Sequence, residues 1–272
     1  MIERTVDLPT MPTVAMRVMS LADSTHADVR KLAALIEVDQ GIAGRILRIA
    51  NSSLFRRQRE ISSVIQAISM LGLRELKNLV VGIAARTLYR GTGKDEQRLW
   101  EHSVAVGLGA LIIARRWAPE VRNAAFLAGQ MHDVGRIVLR NQDRENAAEA
   151  EKRGQVVGLA NAERSLLGFS HADIGAVLMN RWNLPEGVEW SALCHHDGDF
   201  AVLAGDHARL VATVILADHV ADAANIGTAE GAQDEELLAE AAGTLGLELE
   251  ELVEVREELM STYQQERTSL FH

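Results

Sequence analysis

The strongest constraint on this 272-residue chain is a helical repeat of apolar residues that recurs along most of its length. Residues 28–38, DVRKLAALIEV, put Val29, Leu32, Leu35 and Ile36 on one stripe, the i, i+3, i+4 spacing that turns one side of a helix toward a core. Residues 41–50 repeat it with Ile42, Ile46, Leu47 and Ile49. In ISSVIQAISMLG, Ser63 and Gln66 form an S-x-x-Q capping box, and Gly72 stands where the helix should stop. The stretch 96–117, EQRLWEHSVAVGLGALIIARRW, carries the pattern up to Ala118-Pro119, where the proline disfavours helix in the residue before it. Further helices are expected at 120–131, 142–153, 155–167, 171–182, 186–194, 207–224, 233–243 and 248–266. Alternating strands flanked by hairpin turns are missing, so the expected fold class is all-α, with about a dozen helices.

Composition excludes several classes. At 47% hydrophobic and 24% charged, with 4 Pro, the chain is neither disordered nor collagen-like, and it is long enough to fold without a disulfide or a metal. Its one cysteine, Cys194, is expected to be a small buried thiol and fits a reducing, cytoplasmic compartment. No apolar run is long enough to span a membrane, and the N-terminal MIERTVDLPT lacks the apolar centre of a secretory signal.

The formal charge of −10 is unevenly spread. Residues 1–94 hold 14 basic and 8 acidic side chains, a net of +6; residues 95–227 hold 12 and 18, a net of −6; residues 228–272 hold 2 and 12, a net of −10. The first sign change coincides with RGTGKDE at 90–96, and a softer break falls at GTAEGAQDEE, 227–236. The expected division is therefore a helical front at 1–94, a second helical subdomain at 95–227 and an acidic helical extension at 228–272. The acidity argues against a general nucleic-acid binder. Within the basic front, Arg56, Arg57 and Arg59 in NSSLFRRQRE are candidates to hold an anionic ligand, with a solvated loop as the alternative.

Nine histidines are present, and their order is informative. The chain offers His102, the pair His132-Asp133, His171, the pair His195-His196, and then Asp218, each in or beside an apolar helical context. Two divalent metals need about six or seven protein ligands, one carboxylate commonly bridging, and five imidazoles with two carboxylates meet that demand. Such a nitrogen-rich set suits Fe, Mn, Zn or Ni, up to two ions, and disfavours Ca and Mg. No organic cofactor is implied. Residue by residue the signal is weaker. An H-D dipeptide is common by chance, and His195 and His196 cannot both face one way on a regular helix, so the doublet alone suggests at most one ligand. Asp222 competes with Asp218 four residues away on the same face. His26, His207 and His272 lack a partner pattern.

The order H … HD … H … HH … D resembles the HD superfamily of metal-dependent phosphohydrolases. Several stretches narrow the resemblance to the HDOD family, the HD-related output domains of bacterial signalling proteins: LPTMPTVAMRVMSLA at 8–22, DQGIAGRILRIANSSLF at 39–55, ISSVIQAISMLGLRELKNLVV at 61–81, LWEHSVAV at 99–106, FLAGQMHDVGRIVL at 126–139 and ERSLLGFSHADIGAVLMNRWNLP at 163–185. The resemblance implies a front helical subdomain packed on an HD-type bundle, with the acidic helices beyond it. It implies a non-catalytic signalling module whose partner is another signalling protein or a small anionic ligand or nucleotide. It also implies that His102, His132, Asp133 and Asp218 hold one metal, and that Asp133 bridges to a second on His171, His195 and His196. The alternative is a metal-dependent phosphohydrolase acting on a nucleotide or another phosphate ester, with Asp133 anchoring the nucleophile and Arg136 clamping a phosphate. Arg136 on the exposed side of its helix is the other option for that residue. The related HD-GYP enzymes carry Lys where this chain has Arg136 and a GYP motif where it reads DGDFAVLAG; a third metal would need Glu where it has Arg98. Cleavage of cyclic di-GMP is therefore not implied. Glu163, eight residues before His171, is a candidate to orient a ligand, with a plain surface glutamate as the alternative.

Overall fold

The computed structural model describes residues 6–22, 28–51, 60–89, 93–227 and 234–271, of which 267–271 by backbone alone. Arg56, Arg57 and Arg59, the candidate anion loop, lie outside the described residues. Among the described residues all regular structure is helical, and no helix is long and apolar enough to cross a membrane. The chain divides into two compact units, Thr10–Thr87 with Ser261–His272, and Met1–Pro9 with Leu88–Met260.

The first unit holds α1 (Thr13–Ala22), α2 (Val29–Glu37), α3 (Gln40–Ala50), α4 (Val64–Leu71) and α5 (Leu73–Ala85). Side-chain caps start three of them: Asp28 accepts from the amides of Arg30 and Lys31, Asp39 from Ile42, and Ser63 from Gln66, each satisfying donors that a helix start leaves unpaired. Gly72, at φ +84°, ends α4 and opens α5. Leu32, Ile36, Ile46, Leu76 and Leu79 form the centre of its core. Helices α1 and α5 have no counterpart among the spans expected from periodicity. In α5, Leu73, Leu76, Leu79, Val80 and Ile83 do recur at helical spacing beside the exposed Arg74, and every residue from Leu79 to Ala85 is buried.

The second unit is built on α6 (Lys94–Trp117), whose residues 102–114 are buried without interruption. It packs on α7 (Arg122–Met131) and on α13 (Gly205–Ala223), and these two also touch each other. Between them in sequence run α8 (Val134–Gln142), α9 (Arg144–Val157), α10 (Leu159–Leu167), α11 (His171–Arg181) and α12 (Glu186–Cys194). Helix α11 packs on α8 and α12, and α12 on α7 and α13. Helix α11 opens with a complete capping box between Ser170 and Asp173. The α6–α7 crossing is a backbone contact: a Cβ on Gly129 would lie 2.7 Å from the Val106 carbonyl oxygen and 2.9 Å from Gly107 Cα.

The acidic end continues as α14 (Glu235–Leu245) and α15 (Leu252–Phe271). Leu238, Ala241, Ala242 and Leu245 are buried, and α14 packs on α13. Arg209 of α13 ties this region together, donating to the Glu120 carboxylate and to the Trp117 and Thr244 carbonyls. The acidic helix thus contributes an apolar face to the core and turns its charge to solvent.

Gly129→Ala should lower stability by about 1–3 kcal/mol, since a methyl there meets rigid backbone. Gly243→Ala, in α14 where a Cβ meets nothing within 4 Å, should instead raise it by about 0.5–1 kcal/mol. Urea midpoints of the two variants check both signs.

Candidate metal centre

The helices of the second unit bring seven polar side chains to one buried place. His102 lies on α6, His132 and Asp133 form the turn between α7 and α8, His171 opens α11, His195 and His196 follow α12, and Asp218 lies on α13. Their ligand atoms form two clusters, Asp133–His171–His195–His196 and His102–His132–Asp218, with all atoms of each within 4.8 Å of one another. In the first, Asp133 Oδ1 is 3.2 Å from His171 Nε2 and 3.4 Å from His195 Nε2, and His171 Nε2 is 2.8 Å from His196 Nε2. In the second, Asp218 Oδ1 is 2.9 Å from His102 Nε2 and 3.7 Å from His132 Nε2. Bonds of about 2.0–2.2 Å in a tetrahedron imply ligand–ligand edges of roughly 3.3–3.6 Å, and the spacings bracket that range.

Hydrogen bonds outside the clusters determine which nitrogen of each ring faces inward. A carbonyl oxygen only accepts, so His132 Nδ1 donates to Gly129 O (2.7 Å) and His195 Nδ1 to Ala192 O (2.7 Å). His102 Nδ1 donates to Ile226 O (3.3 Å), and Asp222 Oδ1 lies 3.7 Å from the same nitrogen. Glu163 Oε2 accepts from both the amide (2.7 Å) and Nδ1 (2.6 Å) of His171. In each case Nε2 is left for the cluster, the arrangement in which an outer partner fixes the tautomer of a metal-binding histidine. His195 Nε2 and Asp133 Oδ1 are both buried acceptors without a hydrogen bond. Two facing lone pairs in a dry site are costly unless a cation lies between them, so the donor set fits a divalent transition metal.

Electrostatics agrees with that fit. Burial works against charge on His102, yet its hydrogen bond to Asp218 and the charges of Asp218, Asp133 and Asp222 raise the ring to about 9. Burial likewise opposes a charged His171, but Glu163 and Asp133 hold it well above the ordinary histidine range. Burial instead lowers His132 to about 4, and burial with the neighbouring His195 and His171 rings depresses His196. Burial alone would favour a protonated Asp133; the charges of His132 and Arg136 keep it well below the usual carboxylate range.

Several sequence expectations change here. The His doublet contributes two rings because α12 ends at Cys194 and both histidines lie in the following turn, their rings 3.9 Å apart. A regular helix would have separated them by about 100°. Glu163 is only 2% exposed and bonded to His171, not a surface glutamate. Arg136 is also buried, and its Nη1 donates to Asp133 Oδ2 at 2.8 Å. Asp222 complements Asp218, facing the opposite nitrogen of His102. Its i+4 spacing was visible in the chain, as was the place of Glu163 eight residues before His171; the left-handed turn at Gly168 lies between those two. Cys194 is buried as expected, and burial pushes its thiol up to about 11.

The HDOD domain family model matches residues 8–198. An uncharacterized protein of Treponema pallidum (strain Nichols) is 25% identical over 222 residues, 79% of this chain and 42% of its own length, so the chain spans less than half of that curated relative. A crystal structure of an HDOD domain protein of unknown function from Geobacter sulfurreducens is 26% identical with TM-score 0.71, covering 96% of this chain and 95% of that one. The MmoQ response regulator of Methylococcus capsulatus is 27% identical with TM-score 0.50, covering 91% and 97%.

In each cluster one ring, His102 or His171, is held above the ordinary histidine range by the neighbouring carboxylates, to about 9 for His102. Coordination needs that ring neutral, so loading metal should release protons at neutral pH, and affinity at the His102 cluster should rise with pH up to about 9. Calorimetric titration with Zn²⁺ in two buffers of different ionisation enthalpy measures the release. Glu163→Ala, which frees the ring of His171, should weaken metal binding about 10–100-fold, measurable by competition with a chromogenic chelator.

Proposed function

This chain belongs to the HDOD family, and from that premise we propose that it is a non-catalytic signalling module built around a transition-metal centre. One observation carries the proposal. The atoms that would face a metal, among them His102 Nε2, Asp133 Oδ1 and His195 Nε2, are sealed from solvent, and of the seven side chains only His196 is partly exposed. A hydrolase has to bring a phosphoryl group and a water to open positions on its metal. A centre enclosed by its own ligands is suited to hold structure or to sense the ion. The similarity to MmoQ, a response regulator, supports a signalling role. The ion would be Fe, Mn, Zn or Ni, and the partner a signalling protein or a small anionic ligand such as a nucleotide.

A metal-dependent phosphohydrolase is the second reading, favoured by the complete ligand series. A bound divalent ion supplies Lewis acidity toward a phosphoryl oxygen. The chain's own contribution would be His132 and Asp133 as ligands and Arg136 as the cation beside Asp133.

The test uses the full chain, purified without a histidine tag, loaded with Mn²⁺ or Zn²⁺ and offered nucleotides, cyclic dinucleotides and a generic phosphate ester. Bound metal with turnover no higher than that of His132→Ala is expected. Saturating metal at about 100 times its dissociation constant should stabilise the fold by about 2.7 kcal/mol. Turnover abolished by His132→Ala would instead establish the hydrolase.

A further inference from the structure

A carboxylate that bridges two metals must give one oxygen to each. In Asp133 those two oxygens have different surroundings. Oδ1 points at the Nε2 atoms of His171 and His195, 3.2 and 3.4 Å away. Oδ2 lies 2.8 Å from Arg136 Nη1 and 3.7 Å from His132 Nε2. The guanidinium thus holds the oxygen that a metal at the His102–His132–Asp218 cluster would need.

Local structure keeps it there. Asp133 precedes α8 and Arg136 lies in the first turn of that helix. Gly135, between them, is wedged against α11: a Cβ at that position would fall 1.9 Å from the His171 carbonyl oxygen. The start of α8 therefore cannot slide or rotate relative to His171. Arg136 and Asp133 are 7% and 2% exposed, and a buried pair of opposite charges separates only at high cost.

We propose that Arg136 acts as a built-in counter-ion that makes the metal centre unequal. One divalent transition metal is held tightly by Asp133, His171, His195 and His196, a full set of four protein ligands. The three-ligand cluster of His102, His132 and Asp218 binds a second ion much more weakly, because Arg136 occupies the bridging oxygen. His196, the partly exposed member, places the tighter site on the solvent side of the cluster. Arg136 in this role is a positioning residue: it sets how many ions the centre takes.

The inference rests on the metal-centre reading, and cobalt separates the two. The untagged full chain is titrated with Co²⁺, with metal per chain measured after gel filtration and the visible d–d bands recorded. Wild type is expected to retain about one ion in a four-coordinate spectrum. Arg136→Met should gain a second ion, its affinity at the three-ligand cluster rising about 10–100-fold. In the wild-type background, His196→Ala should lose the retained ion while His102→Ala keeps it, so the assignment stands even where Arg136→Met fails to fold. Two equally tight ions in wild type, or loss of the retained ion in His102→Ala, would overturn the role of Arg136 and leave the metal centre intact. No bound cobalt in wild type would overturn both.

Discussion

The packing of α6 on α7 through Gly107 and Gly129 is the contact on which the centre depends. With no Cβ on either residue the two backbones meet directly, at distances a methyl group would not allow. This fixes where His102 stands relative to His132. Gly129 then has a second use, since its carbonyl oxygen accepts the Nδ1 proton of His132 and turns the ring inward. A comparable close approach at Gly135 sets α8 against the first residue of α11, and so sets Asp133 relative to His171. Ligand spacing is thus an outcome of helix packing. It is governed by residues that carry no chemistry, because close-packed interiors transmit even small changes in volume.

The electrostatic design follows from burial. Rings and carboxylates removed from water need partners on every polar atom. Outward-facing nitrogens find Gly129 O, Ala192 O, Ile226 O and Glu163. Inward-facing atoms find one another, and Asp133 Oδ1 and His195 Nε2 oppose each other as two acceptors. The result is a site whose unmet demand is for positive charge, met in part by Arg136, and its carboxylates push the His102 and His171 rings above the ordinary histidine range. A metal at this site would compete with protons for the same atoms, which would couple its occupancy to pH.

Much of the fold was legible because helical periodicity reports a half-buried face. Lys94–Trp117, His171–Arg181 and Glu186–Cys194 were expected within about two residues of their ends. Leu73–Ala85 was not, although Leu73, Leu76, Leu79, Val80 and Ile83 follow a helical spacing; its second half, Leu79–Ala85, is apolar and buried throughout. Val134–Gln142 was not among the expected helices either, although Val134, Ile137 and Val138 are buried at the i, i+3, i+4 spacing. The acidic tail was expected to be helical, and its net charge describes an outer face over the buried Leu238, Ala242 and Leu245. At the centre, the ordered H … HD … H … HH … D series marked the candidate ligands. Glu163 and Asp222 lie outside that series; the chain offered each with an alternative, and folding decided by bringing Glu163 to His171 and Asp222 to His102.

By itself, the chain determined an all-helical HDOD protein and a set of seven side chains able to hold metal, since apolar period and residue order are local and additive. Only the tertiary structure decided which nitrogen of each ring faces inward, that His195 and His196 share a side, and that the two oxygens of Asp133 have different neighbours. Those features depend on distances between segments far apart in the chain. Such distances are set by backbone-to-backbone packing, which no local spacing encodes.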